Sequence, residues 1–483
     1  HNLAMALATF RRIGTSPRLA ASRTLLQRGI WGVAESDADP LTIPLEIDSP
    51  TPLFTGTTPT KVTTLANGLK IASSDMVSPC TTVGIYVDGG SAQETVGGTA
   101  HMLQHLAFKS SEGRSAVAMV RTMEGLGAVA TATSSRENIV FQVDCLKDSV
   151  PAALEMLAET TLAPKLLPWE VEEQKTAISI ELEEFNQNHQ ALVQELAHPA
   201  AFGKSAPLGK PLMCPPKSLA SLTPEVISTY VSQQMTPDKM VVTAAGYDHD
   251  ELVSKVTEIF GGLPAGTPAP AQPSPYTGGE TRLSTDDDIT HFALAFKGCS
   301  WKDSSLVPTC VLNTMMGGGA SFSAGGPGKG MYTRLYQNIL NRYGYVQAAS
   351  VFNAFYNDAG IFGVYGAAPA DGMGELTAVI CDELKKMTSS ISDVELARAK
   401  NQLKSSLLMN LESRAILFED IGRQVLTYGA RTPPEELVAQ IEAVTAADLN
   451  SVAVEMLKSP PAVVVYGDTT SVPRYDIIAQ QFA

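Results

Sequence analysis

His101 and His105 lie four residues apart in GGTAHMLQHLAFKS (97–110). On a helix that spacing sets two imidazoles on one face, where they can share a zinc ion. A helical histidine pair alone is a weak signal, because such pairs also occur as ordinary surface or core residues. Gln104 projects to the same side. Its neutral amide cannot take a proton from bound water near pH 7, as a carboxylate could. Thiol chemistry adds nothing to this site. Cys80, Cys145, Cys214, Cys299, Cys310 and Cys381 stand far apart with no C-x-x-C pair, and they read as buried or free thiols in a reducing compartment.

A second stretch, MMGGGASFSAGGPGKGMYTRLYQNILNRYG (315–344), carries seven glycines between Gly317 and Gly330. Removing side-chain bulk lets backbone approach a ligand closely. A phosphate loop is excluded, since Lys329 is followed by Gly330 and Met331 where Ser or Thr is required. No βαβ unit with a suitably placed acid surrounds the stretch, so a dinucleotide fingerprint is excluded too. An amphipathic helix is expected over 331–342.

Apolar residues at helical spacing predict the helices that position these groups, at roughly 97–110, 113–126, 149–161, 168–188 and 223–235. Asn67-Gly68 predicts a hairpin within 61–75, and 80–90 reads as a further strand. The pattern then repeats. SLTPEVISTYVSQQMTPDKMVVTAAG (221–246) matches AVTAADLNSVAVEMLKSPPAVVVYG (443–467), with Thr223 and Thr445 at the helix starts, and 137–159 matches 358–384 at nearly the same offset. An offset of about 222 residues means two tandem domains of one fold. Residues 261–288, with five prolines, read as the linker between domains 61–260 and 289–483, with an extended segment at 35–60. The fold class is α+β: two homologous domains, each a mainly antiparallel sheet covered by helices on one face.

The chain carries a formal charge of −15, 44% hydrophobic residues and a mean hydropathy near zero, as a globular protein does. No apolar run approaches the ~18 residues of a membrane span. Nucleic acid is excluded as the main partner, and a basic partner suits the charge. Arg11, Arg12, Arg18, Arg23 and Arg28 put +5 into residues 1–34, which hold no acid, so the remainder carries −20. Arg-rich, hydroxyl-rich and acid-free is the composition of a mitochondrial or plastid targeting peptide.

The histidine stretch is H-x-x-Q-H where inverted zinc peptidases have H-x-x-E-H and a distant Glu as third ligand. It resembles the pitrilysin-type metalloendopeptidases, in particular the mitochondrial processing peptidase and the core proteins of respiratory complex III. The resemblance covers about residues 60–470. It implies zinc (Zn2+) ligands at His101, His105 and Glu181, a supporting acid at Glu184, and Gln104 at the general-base position, hence no efficient hydrolysis by this chain. The glycine-rich loop 317–330 resembles that of the family's α subunits. It implies presequence binding at Gly317, Gly318, Gly319, Gly325, Gly326, Gly328, Lys329 and Gly330. The expected role is a non-catalytic α-type subunit, paired with a catalytic β-type subunit in a heterodimer and acting on basic presequences. The expected place is the mitochondrion, on the matrix side of the inner membrane, integrated in complex III as a core protein; a purely structural core subunit is the alternative. Glu170, Glu172, Glu173, Glu181, Glu183, Glu184, Asp286, Asp287 and Asp288 are candidate attractors for such a basic peptide.

Overall fold

Asn67-Gly68 closes the first hairpin, with Gly68 at φ 93° and the Asn67 amide donating to Phe260 O at 2.9 Å. A computed structural model describes residues 59–266, 272–321, 330–389 and 391–482. The arginine-rich segment 1–34, nearly all of 35–60 and part of the proline-rich stretch lie outside the described residues.

The strands are β1 (Lys61–Thr64), β2 (Lys70–Ser74), β3 (Cys80–Asp88), β4 (Val129–Ser134), β5 (Asn138–Leu146), β6 (Met240–Ala245), β7 (Gly279–Ser284), β8 (Ile289–Lys297), β9 (Gly318–Ala320), β10 (Ala348–Phe355), β11 (Gly360–Pro369) and β12 (Ala462–Gly467). They form two six-stranded sheets, ordered β1-β2-β6-β3-β5-β4 and β7-β12-β8-β11-β10-β9. In each sheet one pairing is parallel, β2 with β6 and β7 with β12, and the rest are antiparallel. The run β2-β6-β3-β5-β4 thus recurs as β7-β12-β8-β11-β10. Thr223 and Thr445 cap equivalent helices, Pro224–Gln234 and Ala446–Leu457, each accepting a backbone N–H three residues on. The duplicated α+β fold read from the sequence is the fold observed.

Three local expectations change. Residues 279–284, inside the proline-rich stretch expected as linker, are strand β7. Their polar residues suit an edge position, which is why composition hides them. The helix expected over 331–342 is a short π-helical turn at Tyr336–Leu340. The histidine helix is Thr99–Leu106, shorter than expected, ending before Phe108 takes φ 58°.

The sequence predicts helices on one face of each sheet, and both faces are covered. Helices of the first half pack on one face of its own sheet around Val83, Phe141, Leu154 and Val242. Its other face is covered by Arg414–Tyr428 from the second half, through Phe418, Ile421 and Val425. In return His189–Phe202, from the first half, covers the open face of the second sheet through Val193, Ala197 and Ala201. Double coverage leaves all six residues of β6 and nine of ten in β11 buried, as their apolar composition requires.

The halves also meet at two hairpin turns. Both Glu137 carboxylate oxygens, between β4 and β5, accept from Asn357 N, between β10 and β11, at 3.1 and 2.9 Å. Burial pushes Glu137 up to about 7, against the Asn357 hydrogen bond and with help from Asp358 and Asp88. The folded state therefore holds a proton that the unfolded chain releases near 4.5. This contribution to stability is present below that value and is lost as pH rises through about 7. Denaturation midpoints measured at pH 5 and pH 8 should differ less in Glu137→Gln than in the parent chain. An unchanged difference would refute the assignment.

Candidate functional site

The histidine helix is positioned at its start by a buried acid. Glu94 accepts from Gly98 N at 2.7 Å and Ala100 N at 2.6 Å, satisfying two otherwise orphaned donors of the first turn. Burial, against those two hydrogen bonds, still pushes its carboxyl up to about 7. His101 is 2% exposed beneath the helix, while His105 is half-buried.

Helix Pro168–Gln187 lies alongside and brings Glu181 to the pair. Glu181 Oε2 stands 3.2 Å from His101 Nε2 and 2.6 Å from His105 Nε2, and the two Nε2 atoms are 3.3 Å apart. Among the described residues, this is the grouping of His, Cys, Asp or Glu that brings three ligand atoms within 4.8 Å. The three residues expected to meet do meet. Glu184, one turn on, is exposed, and it is Glu181 that reaches the histidines.

Two further contacts decide what the cluster can do. Gln104 Oε1 accepts from Ser134 N at 2.8 Å and from the Ser134 hydroxyl at 2.9 Å, so the amide is tied to the end of β4. Cys214 N donates to His101 Nδ1 at 3.2 Å. Burial, outweighing the opposing charge of Glu181, holds His101 below its ordinary pKa. A metal-binding histidine presents a bare Nε2 and donates from Nδ1 to an acceptor. Here Nδ1 is itself the acceptor, so the donor set does not fit a zinc ion despite its spacing.

Of the glycine-rich loop, the structure describes the two ends, including Gly317, Gly318, Gly319 and Gly330; Gly325, Gly326, Gly328 and Lys329 lie outside the described residues. Thr333 joins these ends. Its hydroxyl accepts from Gly318 N at 3.2 Å and donates to Gly330 O at 2.7 Å. Gly317 and Gly318 have φ 56° and 102°, and a Cβ on either would sit 2.4 Å from Thr333 Cγ2 or 2.1 Å from Ala349 O. Only glycine fits both demands. Beyond the stem, Arg334 pairs with Glu395 at 2.5 and 2.9 Å, and the Arg398 guanidinium lies 5.2 Å from the Tyr332 ring centroid.

The acidic groups divide. Glu170 turns inward, 6% exposed, and accepts from Ser110 Oγ at 2.6 Å, so it cannot attract a peptide. Glu172 pairs with Lys175 at 2.7 Å. Glu173, Glu183, Glu184 and Asp286, Asp287 and Asp288 are exposed. Ser134, Glu94, Thr333 and the Cys214 amide have no sequence signature for these roles. A backbone donor 113 residues from His101 leaves no pattern to read.

Among the described residues no single helix is long and apolar enough to cross a membrane. Residues 70–216 match the family model for insulinase, peptidase family M16, and residues 221–403 match that of the peptidase M16 inactive domain. The chain is 40% identical over 463 residues to the mitochondrial-processing peptidase subunit alpha of Solanum tuberosum, covering 94% of this chain and 91% of that one. Against the probable subunit alpha-1 of Arabidopsis thaliana identity is 38%, with 92% and 89% covered. Against subunit alpha of Homo sapiens it is 37%, with 87% and 84% covered.

Proposed function

The chain belongs to peptidase family M16, and on that premise we propose that it is the non-catalytic, α-type subunit of a mitochondrial processing peptidase, binding basic presequences for a catalytic β-type partner. One observation carries the reading: the general-base position is held by Gln104, whose carbonyl oxygen is already engaged by Ser134. Loss of a positioned base costs ~10²–10⁴-fold in rate, enough to remove a hydrolase from useful service. Similarity to α subunits along nearly the whole chain supports the same role.

Substrate handling is assigned to the glycine-rich loop, whose stem is fixed by Thr333 while exposed acids such as Glu183 and Glu184 supply attraction for arginine-rich peptides. Mitochondrial location follows from the same relatives. The matrix side of the inner membrane, and a place in complex III as a core protein, are the finer parts of the proposal.

The deciding experiment compares the chain alone, the chain with its β-type partner, and a partner complex lacking residues 322–328. The chain alone should leave a presequence peptide intact, and the complex should cleave it. The shortened complex should show KM raised about tenfold with kcat nearly kept, the sign of lost binding rather than lost chemistry. Efficient cleavage by the chain alone, or an unchanged KM after shortening, would overturn the reading.

A further inference from the structure

The spacing of the histidine cluster and its polarity point in opposite directions. Ligand atoms about 2.0–2.1 Å from a tetrahedral ion stand about 3.3 Å from one another. The contacts of 3.2 and 3.3 Å made by His101 Nε2 meet that requirement. On the spacing of His101 alone, the cluster would take zinc, whereas the 2.6 Å from His105 Nε2 to Glu181 Oε2 is already the length of a hydrogen bond.

The proton on His101 forbids it. Cys214 N–H points at Nδ1 from 3.2 Å inside the protein. A backbone N–H can only donate, so Nδ1 must offer its lone pair. That excludes the imidazolium and the Nδ1–H tautomer together. The remaining neutral form carries its proton on Nε2, the atom a metal would need bare. Turning the ring over gives no escape, because carbon atoms would then face both Cys214 N–H and Glu181.

The donor cannot easily withdraw. Cys214 is 0% exposed, and a Cβ added at Gly98 would lie 2.4 Å from its Sγ, so the segment sits directly on the start of the histidine helix. Leu212 N, two residues earlier, is held by Glu195 at 2.8 Å.

We infer that the Cys214 backbone N–H locks His101 in its Nε2–H tautomer and thereby closes the His101–His105–Glu181 cluster to divalent metal. The cluster is then complete as a hydrogen-bonded unit. Both Nε2–H groups converge on Glu181 Oε2, the shorter bond coming from His105 at 2.6 Å. The three residues that would bind an ion instead fasten the histidine helix to its neighbour. Ligand identity is retained while ligand function is withdrawn by one backbone hydrogen bond. Gln104 and Cys214 are separate obstacles, one to proton transfer and one to metal.

The test uses the full chain, treated with chelator, and zinc chloride alone as probe. The parent chain should retain no stoichiometric zinc through gel filtration, and ¹⁵N spectra of its labelled histidines should show Nε2–H at His101. Replacing the 214 amide by an ester removes the N–H. Installing the α-hydroxy analogue of alanine there, with Cys214→Ala as the amide control, should raise zinc affinity at least ~10-fold, the scale of an outer-shell partner. One zinc per parent chain that is lost in His101→Ala would overturn the inference. So would an Nδ1–H signal at His101, or unchanged affinity in a correctly folded ester. If the ester chain fails to fold, the zinc stoichiometry and the tautomer of the parent chain decide alone.

Discussion

Phe418→Ala lowers the free energy of unfolding by about 3–5 kcal/mol, the cost of emptying a fully buried aromatic site, and weakens the first half of the chain although the residue belongs to the second. Phe418 is 0% exposed and lies against the first sheet with Ala72, Tyr86, Val241 and Ala245. Its ring centroid is 5.3 Å from that of Tyr86. The helix approaches so closely that a Cβ on Gly422 would fall 2.1 Å from the Tyr86 ring. Gly84 of β3 also faces the ring, a Cβ there falling 2.6 Å from Phe418 Cζ, so this position offers no side chain to relax into the space.

Arg414 anchors the start of this helix, with Nε 2.9 Å from Thr82 Oγ1 and Nη2 3.0 Å from Asp144 Oδ1. The cavity therefore cannot close by moving the helix without breaking those bonds. Denaturant unfolding should stay a single transition, and hydrogen exchange should speed up in β3 and β6 as much as in β8 and β11. Loss of protection confined to the second half would show that the halves are independent, and the exchanged helices would then be decoration.

That exchange marks the limit of what the sequence discloses. Thr223 and Thr445 show the duplication because helix caps are local, and local chemistry repeats when a domain repeats. The apolar stripe of Arg414–Tyr428 shows that one face is buried but not which sheet buries it, since periodicity carries no information about partners. Strand β7 escaped because its residues are those of an edge. Glu181 came from resemblance, as 76 residues of separation from His105 specify nothing. Glu170 groups with the exposed acids in the sequence because charge there reads as surface, whereas Ser110 gives it a hydrogen bond inside. The pairing of His101, His105 and Glu181 was legible. Its polarity was not, because the donor at Cys214 belongs to the main chain and would be the same for any residue there but proline.

Arg136→Ala should cost about 3–5 kcal/mol, since it leaves a largely buried carboxylate without its cation. Arg136 is 5% exposed, with Nη2 2.7 Å from Glu195 Oε1 and Nε 3.2 Å from Leu208 O. Close by, the Tyr356 hydroxyl of the second half meets His198 Nε2 of the first at 2.7 Å. His198 is held below its ordinary pKa by burial and then by Arg136. Removing the arginine should raise its titration midpoint. In a Glu195→Gln background the arginine should matter less, because no bare charge is left behind. Equal losses in both backgrounds would show that packing rather than charge is at stake. The same pair grips the segment leading to Cys214 twice, at Leu208 O through Arg136 and at Leu212 N through Glu195. Arg136→Ala should therefore also loosen the Cys214 N–H from His101, and histidine ¹⁵N spectra should then show a mixture of tautomers where the parent chain shows one.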